Sequence, residues 1–205
     1  MVADSKPKLL STAALRELRA QVDAFTGSVF VYRVERAAGA DMNEMARFTA
    51  TEAAEFSRLG QETFAAIERM PCLTIAAIDG DCFGGALDLV LSFDLRFATE
   101  RSRFSHPGAK LGIVTGFGGT SRWRRVIDSR AARRLFLVND VLSAADALSL
   151  GLVDALGDPP AIPPLDPGTV QMVKELTIHG QRLSQRELVL LAEKLGTVYE
   201  NPLRR

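Results

Sequence analysis

The 205-residue chain carries 25 Lys and Arg against 25 Asp and Glu, so its formal net charge at neutral pH is zero. That balance argues against nucleic acid or an anionic membrane as the main partner, because both are held through a large positive field. The length fits one domain, or a domain with a small appendage, and is long enough to bury a substantial core. The opening residues 1–8 lack the apolar centre of a signal peptide and no stretch approaches the length of a membrane span, which predicts a cytoplasmic protein. Cys72 and Cys82 do not have a metal-ligand spacing, and two thiols in an intracellular chain are expected to be reduced; no metal site is expected.

Ser11 is placed to cap a helix running to about Phe25, with Leu15, Leu18, Val22 and Phe25 at helical spacing and Gly27 as its stop. Residues 28–34, Ser-Val-Phe-Val-Tyr-Arg-Val, are β-branched and aromatic with little alternation, as in a strand covered on both faces. Helix and strand in repetition predict an α/β layer fold. Thr49-x-x-Glu52 is a capping box opening a long helix to about Met70, with Phe56, Leu59, Phe64 and Ile67 on its inner side. The apolar run 73–78 is short enough for a strand buried on both faces, and Asp79-Gly80 carries turn chemistry that ends it. After Gly84-Gly85, Ala86-Leu-Asp-Leu-Val-Leu91 reads as the first turns of a buried helix; residues 94–99 read as another short strand. Gly116-Phe-Gly-Gly119 is a glycine turn opening a helix, and Arg122, Arg124, Arg125, Arg130, Arg133 and Arg134 crowd the segments beyond it. Ser143-x-x-Asp146 caps a short helix closed by Gly151, and Leu152-Val153 reads as a final strand. The resulting division is a core over residues 1–157, a proline-rich linker over 158–168, and a helical segment over 169–205. Within the last, one helix is predicted from Val170 to about Ile178. A second, from Gln185 to Leu195, follows the capping box Ser184-x-x-Glu187 and stops at Gly196.

The chemistry concentrates at Gly84-Gly85. A glycine pair at a helix start lets a substrate oxygen approach the backbone, and free N–H groups with the helix dipole favour negative charge developing there. These are the physical requirements of an oxyanion hole. Six blocks stand in one order: Ala38-Gly-Ala-Asp41, Ile75-Ala-Ala-Ile-Asp-Gly80, Phe83-Gly-Gly-Ala-Leu-Asp88, Phe93-Asp-Leu-Arg96, Lys110-Leu-Gly-Ile-Val-Thr-Gly-Phe-Gly-Gly-Thr120, and Ser143-Ala-Ala-Asp-Ala-Leu-Ser-Leu-Gly-Leu-Val153. In order and spacing they resemble the enoyl-CoA hydratase/isomerase (crotonase) superfamily, over residues 9–154. The resemblance implies an α/β fold of the crotonase-type ββα superhelix, shortened at both termini, with the first strands missing and the chain opening at the first helix.

It further implies that the N–H groups of Ala40 and Gly85 form the oxyanion hole, that Ala38, Gly39, Asp41, Gly84 and Gly116 contact substrate, and that the substrate is an acyl thioester of coenzyme A or of a carrier-protein phosphopantetheine, with no permanently bound cofactor. The stretch between Val34 and Ala38 is shorter than the family's adenine-binding loop. A hydratase of the family uses two glutamates, because one proton leaves the water as another reaches the α-carbon. Here the first position carries Asp88, one methylene shorter, and the second, directly after Pro107, is Gly108, with no side chain. His106 stands beside it as a candidate acid or base near neutral pH. The resemblance implies a homotrimer or a hexamer built as a dimer of trimers. The arginine cluster reads as a solvated or subunit-facing surface, with coenzyme A phosphates or RNA as alternatives. Two functions stay open: an enzyme stabilising a thioester enolate with Asp88 as its acid/base, for isomerisation, hydration or decarboxylation rather than efficient standard hydration because the second acid is replaced by Gly108, and a non-catalytic member that binds an acyl thioester or pairs with a partner subunit.

Overall fold

The computed structural model describes residues 8–179; the predicted helix from Gln185 to Leu195 lies outside them. The first element among the described residues is a strand, β1 (Lys8–Leu10), which corrects the expectation that no strand precedes the first helix. Three residues suffice because they lie parallel to the end of the next strand, with Asp41 N–H donating to the Leu10 carbonyl at 3.1 Å. Ser11 caps α1 (Thr12–Ala24) by accepting from Ala14 N–H, and Leu15, Leu18 and Val22 are its buried face. Strand β2 (Val29–Ala40) runs through residues 35–40, where a loop was expected, and leads into a one-turn helix α2 (Met42–Met45) capped by Asp41. Both reciprocal bonds of the capping box form at Thr49 and Glu52 to open α3 (Ala50–Glu68), which buries Phe56, Phe64 and Ile67.

Strand β3 (Leu73–Phe83) passes straight through Asp79-Gly80, which does not turn the chain. Gly80, at φ +96°, instead kinks the strand. Before the kink, Ile75 to Ile78 pair in parallel with β4 (Leu95–Ala98); after it, Asp81 to Phe83 pair in parallel with β5 (Arg103–Ser105). One strand thus changes neighbour along the same edge, and the sheet curls there. A positive φ is the conformation that only glycine adopts without strain. The two aspartates flanking the kink are tolerated in a strand because each pairs with arginine on the neighbouring segment, Asp79 with Arg101 and Asp81 with Arg103. The Arg101 guanidinium hydrogen-bonded to Asp79 holds that carboxyl below its ordinary range.

Helix α4 (Gly85–Val90) follows β3 and is buried from Ala86 to Val90. Then come α5 (Gly119–Arg122), α6 (Ser129–Arg133), and a π-helical turn, Arg134–Val138. Strand β6 (Leu142–Ser143) pairs antiparallel with β5 and leads into α7 (Ala144–Ser149), which has the predicted capping box. The last strand is β7 (Ala155–Leu156), not Leu152-Val153. Those two residues are buried, each only 1 % exposed, but their N–H groups donate to the Ala147 carbonyl of α7, so burial without strand pairing accounts for their apolar character. The main sheet order is β1-β2-β3-β4-β7 with parallel neighbours throughout. Residues 159–166 are neither helix nor strand, and α8 (Pro167–His179) starts with proline in its first turn.

Two buried cations tie distant segments together. Arg96 of β4 donates to the Leu152 and Phe93 carbonyls, both at 2.8 Å, and to Asp154 at 3.1 Å; burial lowers its pKa from the ordinary value and the Asp154 charge opposes that. Lys174 of α8 donates to the Met70 and Cys72 carbonyls and pairs with Asp94 at 2.9 Å. No helix among the described residues is long and apolar enough to cross a membrane.

Candidate active site

At the start of α4 the close approach of two backbones depends on Gly39 and Gly84. At Gly39 φ is +84°, and a Cβ there would stand 2.7 Å from Gly85 N and 2.8 Å from the Phe83 carbonyl. The end of β2 therefore touches the junction between β3 and α4 in a way any side chain would prevent. Gly84 caps α4 at φ +54°. From the other side, a Cβ on Gly85 would stand 3.2 Å from Ala40 N. The amides of Ala40 and Gly85 are brought together by close approach of two backbones, and the Gly85 N–H, in the first turn of a helix, has no acceptor among the described residues.

Asp88 lies one turn into α4 and is fully buried. Its Oδ2 accepts from the Thr115 hydroxyl. Its Oδ1 has no hydrogen-bond partner among the described residues and lies 3.4 Å from His106 Nε2, which likewise has none. A buried polar atom without a partner costs free energy comparable to a lost hydrogen bond, so two facing each other mark this place as a candidate site. His106 reaches this place because Gly84 N–H donates to the Ser105 carbonyl at 2.9 Å, holding the end of β5 against the start of α4. Asp88 and His106, fixed separately by the sequence, are brought together.

The empty side chain at Gly108 has a structural counterpart. A Cβ there would stand 2.7 Å from the Ile113 carbonyl and 3.1 Å from His106 Cε1. The imidazole ring packs against the space that a side chain at 108 would enter. Gly119, at the start of α5, allows equally close contact: a Cβ on it would overlap the Asp88 carboxylate. Phe117 closes the site from the α3 side, its ring 5.1 Å from Phe56 and 5.5 Å from Phe64 and in contact with Gly60 and Gly85.

The other predicted substrate-contact residues have intramolecular tasks. Asp41 accepts from Asn43 and Glu44 N–H to cap α2. Gly116 abuts Ser57 of α3, and its carbonyl accepts from Gln61. Ala38 lies in β2. In the arginine cluster, Arg122 corrects the expectation of a surface group: it is buried, bridges Glu68 with two bonds of 3.1 Å, and donates to the Phe117 carbonyl at 2.7 Å. Arg124, Arg125, Arg130, Arg133 and Arg134 are exposed. Cys82 is buried beside this centre, and burial, reinforced by the Asp88 and Asp81 charges, pushes its thiol far up, away from nucleophilic use. Among the described residues no three His, Cys, Asp or Glu side chains cluster as metal ligands.

Thr115, Phe136 and Asn139 were not singled out by sequence reasoning, and Gly119 was named only as the end of a glycine turn, not as a neighbour of Asp88. Only the glycine content around Thr115 and Gly119 marked their neighbourhood. Two open hollows lie elsewhere, one lined by Asp41, Arg47 and Phe48 and the other by Arg134, Asp140 and Leu150. Neither contains a pair of unpartnered buried groups.

The chain is 39 % identical over 127 residues to the crotonyl-CoA hydratase of Syntrophomonas wolfei, an alignment covering 62 % of this chain and 49 % of that protein. It is 36 % identical over 122 residues to the short-chain-enoyl-CoA hydratase of Clostridium acetobutylicum, covering 60 % and 47 %. The chain thus spans about half the length of the curated relatives it matches. Among solved structures, the enoyl-CoA hydratase of Thermoplasma volcanium superposes with a TM-score of 0.84 at 24 % identity, over 95 % of this chain and 84 % of that one. Pseudomonas aeruginosa DspI superposes with a TM-score of 0.81 at 24 % identity, over 98 % and 90 %. At these identities the superpositions establish the shared fold. The family model of enoyl-CoA hydratase/isomerase matches residues 26–162, a span containing the Ala40 and Gly85 amides and both Asp88 and His106, and the chain belongs to that family.

Proposed function

We propose that the protein acts on a 2-enoyl thioester, holding the enolate oxygen with the N–H groups of Ala40 and Gly85 and moving protons with Asp88 and His106. The observation that carries this reading is the facing of two unpartnered buried atoms, Asp88 Oδ1 and His106 Nε2, at 3.4 Å beside the Gly85 helix start. In hydration, the water oxygen bonds to the β-carbon and gives up a proton, while the α-carbon of the enolate receives one. The Asp88 and His106 pair takes the first proton and supplies the second, returning to its starting state. His106 thereby fills the role left without a side chain at Gly108. The N-terminal turn of α4 adds its dipole to the two amides as negative charge develops. Coenzyme A is the proposed carrier, in keeping with the names of the relatives, and a carrier-protein phosphopantetheine presents the same thioester. Exposed Leu137, Val138 and Val141 support self-association into the trimer or hexamer the family resemblance implies.

The test is hydration of crotonyl-CoA by the purified chain, followed at the enone absorbance, with thermal-shift binding of acetoacetyl-CoA on the same preparation. Turnover is expected, and Asp88→Ala is expected to lower it by on the order of a hundredfold or more. Turnover unaffected by Asp88→Ala removes Asp88 from the mechanism. A non-catalytic, thioester-binding role is the second reading, favoured by the complete burial of Asp88; binding without turnover selects it.

A further inference from the structure

We propose that Asn139 is the positioning residue for His106 and that the π-helical turn Arg134–Val138 is the device that brings it there. This rests on the reading of His106 as a proton-transfer group. Asn139 follows the turn at φ +62°, and is the one non-glycine residue with positive φ among the described residues. It is buried, 5 % exposed, and its Nδ2 donates to the His106 carbonyl at 2.6 Å. Its own carbonyl accepts from the Ser105 hydroxyl at 3.4 Å, so one side chain and one carbonyl grip two successive residues at the end of β5. From within the same turn, Phe136 lays its ring against the imidazole, centroids 4.7 Å apart at 34°.

The geometry is unusual in a way that points past simple helix capping. The widened i→i+5 turn offsets the chain relative to an α-helix, and such turns recur at functional sites. Ending a helix in the left-handed region is a task that glycine performs best, and Asn139 N–H to the Arg134 carbonyl is the only bond that capping requires. Asparagine tolerates that conformation but adds an amide. Here its Nδ2 donates to the Phe136 carbonyl within the turn at 3.4 Å and to the His106 carbonyl outside it at 2.6 Å, while its Oδ1 has no partner among the described residues. Capping accounts for the Phe136 bond but not for the shorter bond reaching 33 residues back to His106, which fixes the backbone that carries the imidazole opposite Asp88 Oδ1.

The discriminating substitution is therefore Asn139→Gly, which suits the backbone conformation, keeps the carbonyl that accepts from Ser105, and removes the side-chain bonds to the His106 and Phe136 carbonyls. The readouts are crotonyl-CoA hydration kinetics and the proton NMR resonance of the His106 Cε1–H in the full chain. The chain has two histidines, so His179→Gln assigns the resonance. The Phe136 ring current marks the position of the imidazole. In Asn139→Gly the resonance is expected to move toward that of free imidazole, with kcat falling on the order of tenfold to a hundredfold and KM unchanged, as for a displacement of about 1 Å at a reacting group. An unmoved resonance, or a moved resonance with unchanged kcat, overturns the proposal. If Asn139→Gly does not fold, Asn139→Asp keeps size and backbone preference while losing the donor, and the same outcomes decide. A wild-type chain inactive on crotonyl-CoA refutes the proposed function, and the resonance alone then decides whether Asn139 holds the ring.

Discussion

Gly108→Glu looks, from the sequence, like the repair of a missing catalytic acid; the structure predicts the opposite. A Cβ at residue 108 would stand 2.7 Å from the Ile113 carbonyl and 3.1 and 3.2 Å from His106 Cε1 and Nδ1. The carbonyl is backbone and cannot yield cheaply, because Ile113 is held there by its N–H bond to the Gly108 carbonyl at 2.9 Å. Overpacking at a buried position costs about 1–3 kcal/mol. For a chain of this size about 1 kcal/mol shifts Tm by about 2–4 °C, so Gly108→Glu is expected to lower Tm by roughly 2–12 °C. It would also displace the His106 ring from Asp88 and reduce hydration of crotonyl-CoA. Gly108→Ala, which adds only the Cβ, should show the steric part of the loss. The assay pairs a thermal melt with the rate at the enone absorbance. A Gly108→Glu protein with unchanged Tm and faster hydration would refute both the packing at residue 108 and the assignment of His106 to the vacant role.

Arg122→Ala removes both bonds to Glu68 and the one to the Phe117 carbonyl; a cost of about 3 kcal/mol, the low end for breaking a buried pair because Arg125 stays on Glu68 at 2.8 Å, should lower Tm by roughly 6–12 °C, and a loss below about 2 °C would contradict a structural role. Lys174→Met leaves the Met70 and Cys72 carbonyls and Asp94 without their cation, and urea unfolding should show a loss of about 1–3 kcal/mol. Glu52, Asp128 and Asp146 are held below their ordinary pKa, first by bonds from Thr49 N–H, Ala131 N–H and the Ser143 hydroxyl respectively. A depressed folded-state pKa contributes stability that is complete above the ordinary carboxylate range and is lost as pH falls through the depressed values. Tm should therefore decline on acidification below about pH 5, and Ser143→Ala, costing about 1 kcal/mol at neutral pH, should flatten that decline.

Local physics was legible wherever a signal stayed within a few residues. Ser11, Thr49 with Glu52, and Ser143 with Asp146 all cap the helices their spacing announced. The apolar faces of α1 and α3 followed from period, and Gly84-Gly85 announced a helix start that exposes its amides. The misreadings share one cause, since a residue's local preference does not reveal which partner meets its backbone. Asp79-Gly80 has the composition of a turn, but neighbouring strands on one edge of β3 make it a kink inside a strand. Leu152-Val153 has the composition of a strand, but its N–H groups go to α7. Arg122 lies in a charge run, yet Glu68 from α3, 54 residues earlier, takes it inside.

The sequence by itself determined the family, the α/β class, the glycines on which the Ala40 and Gly85 amides depend, and the two titratable side chains worth watching, because each of these is written in residue types at short and ordered spacing. Only the tertiary structure decided that Asp88 and His106 face each other at 3.4 Å, that the ring of His106 packs where residue 108 has no side chain, and that Thr115 and Asn139 hold the two. The contacts of Asp88 with His106, Thr115 with Asp88 and Asn139 with His106 span 18 to 33 residues and depend on the kink at Gly80 and the bond from Gly84 to Ser105, and distance through the chain carries no periodicity from which they could be read.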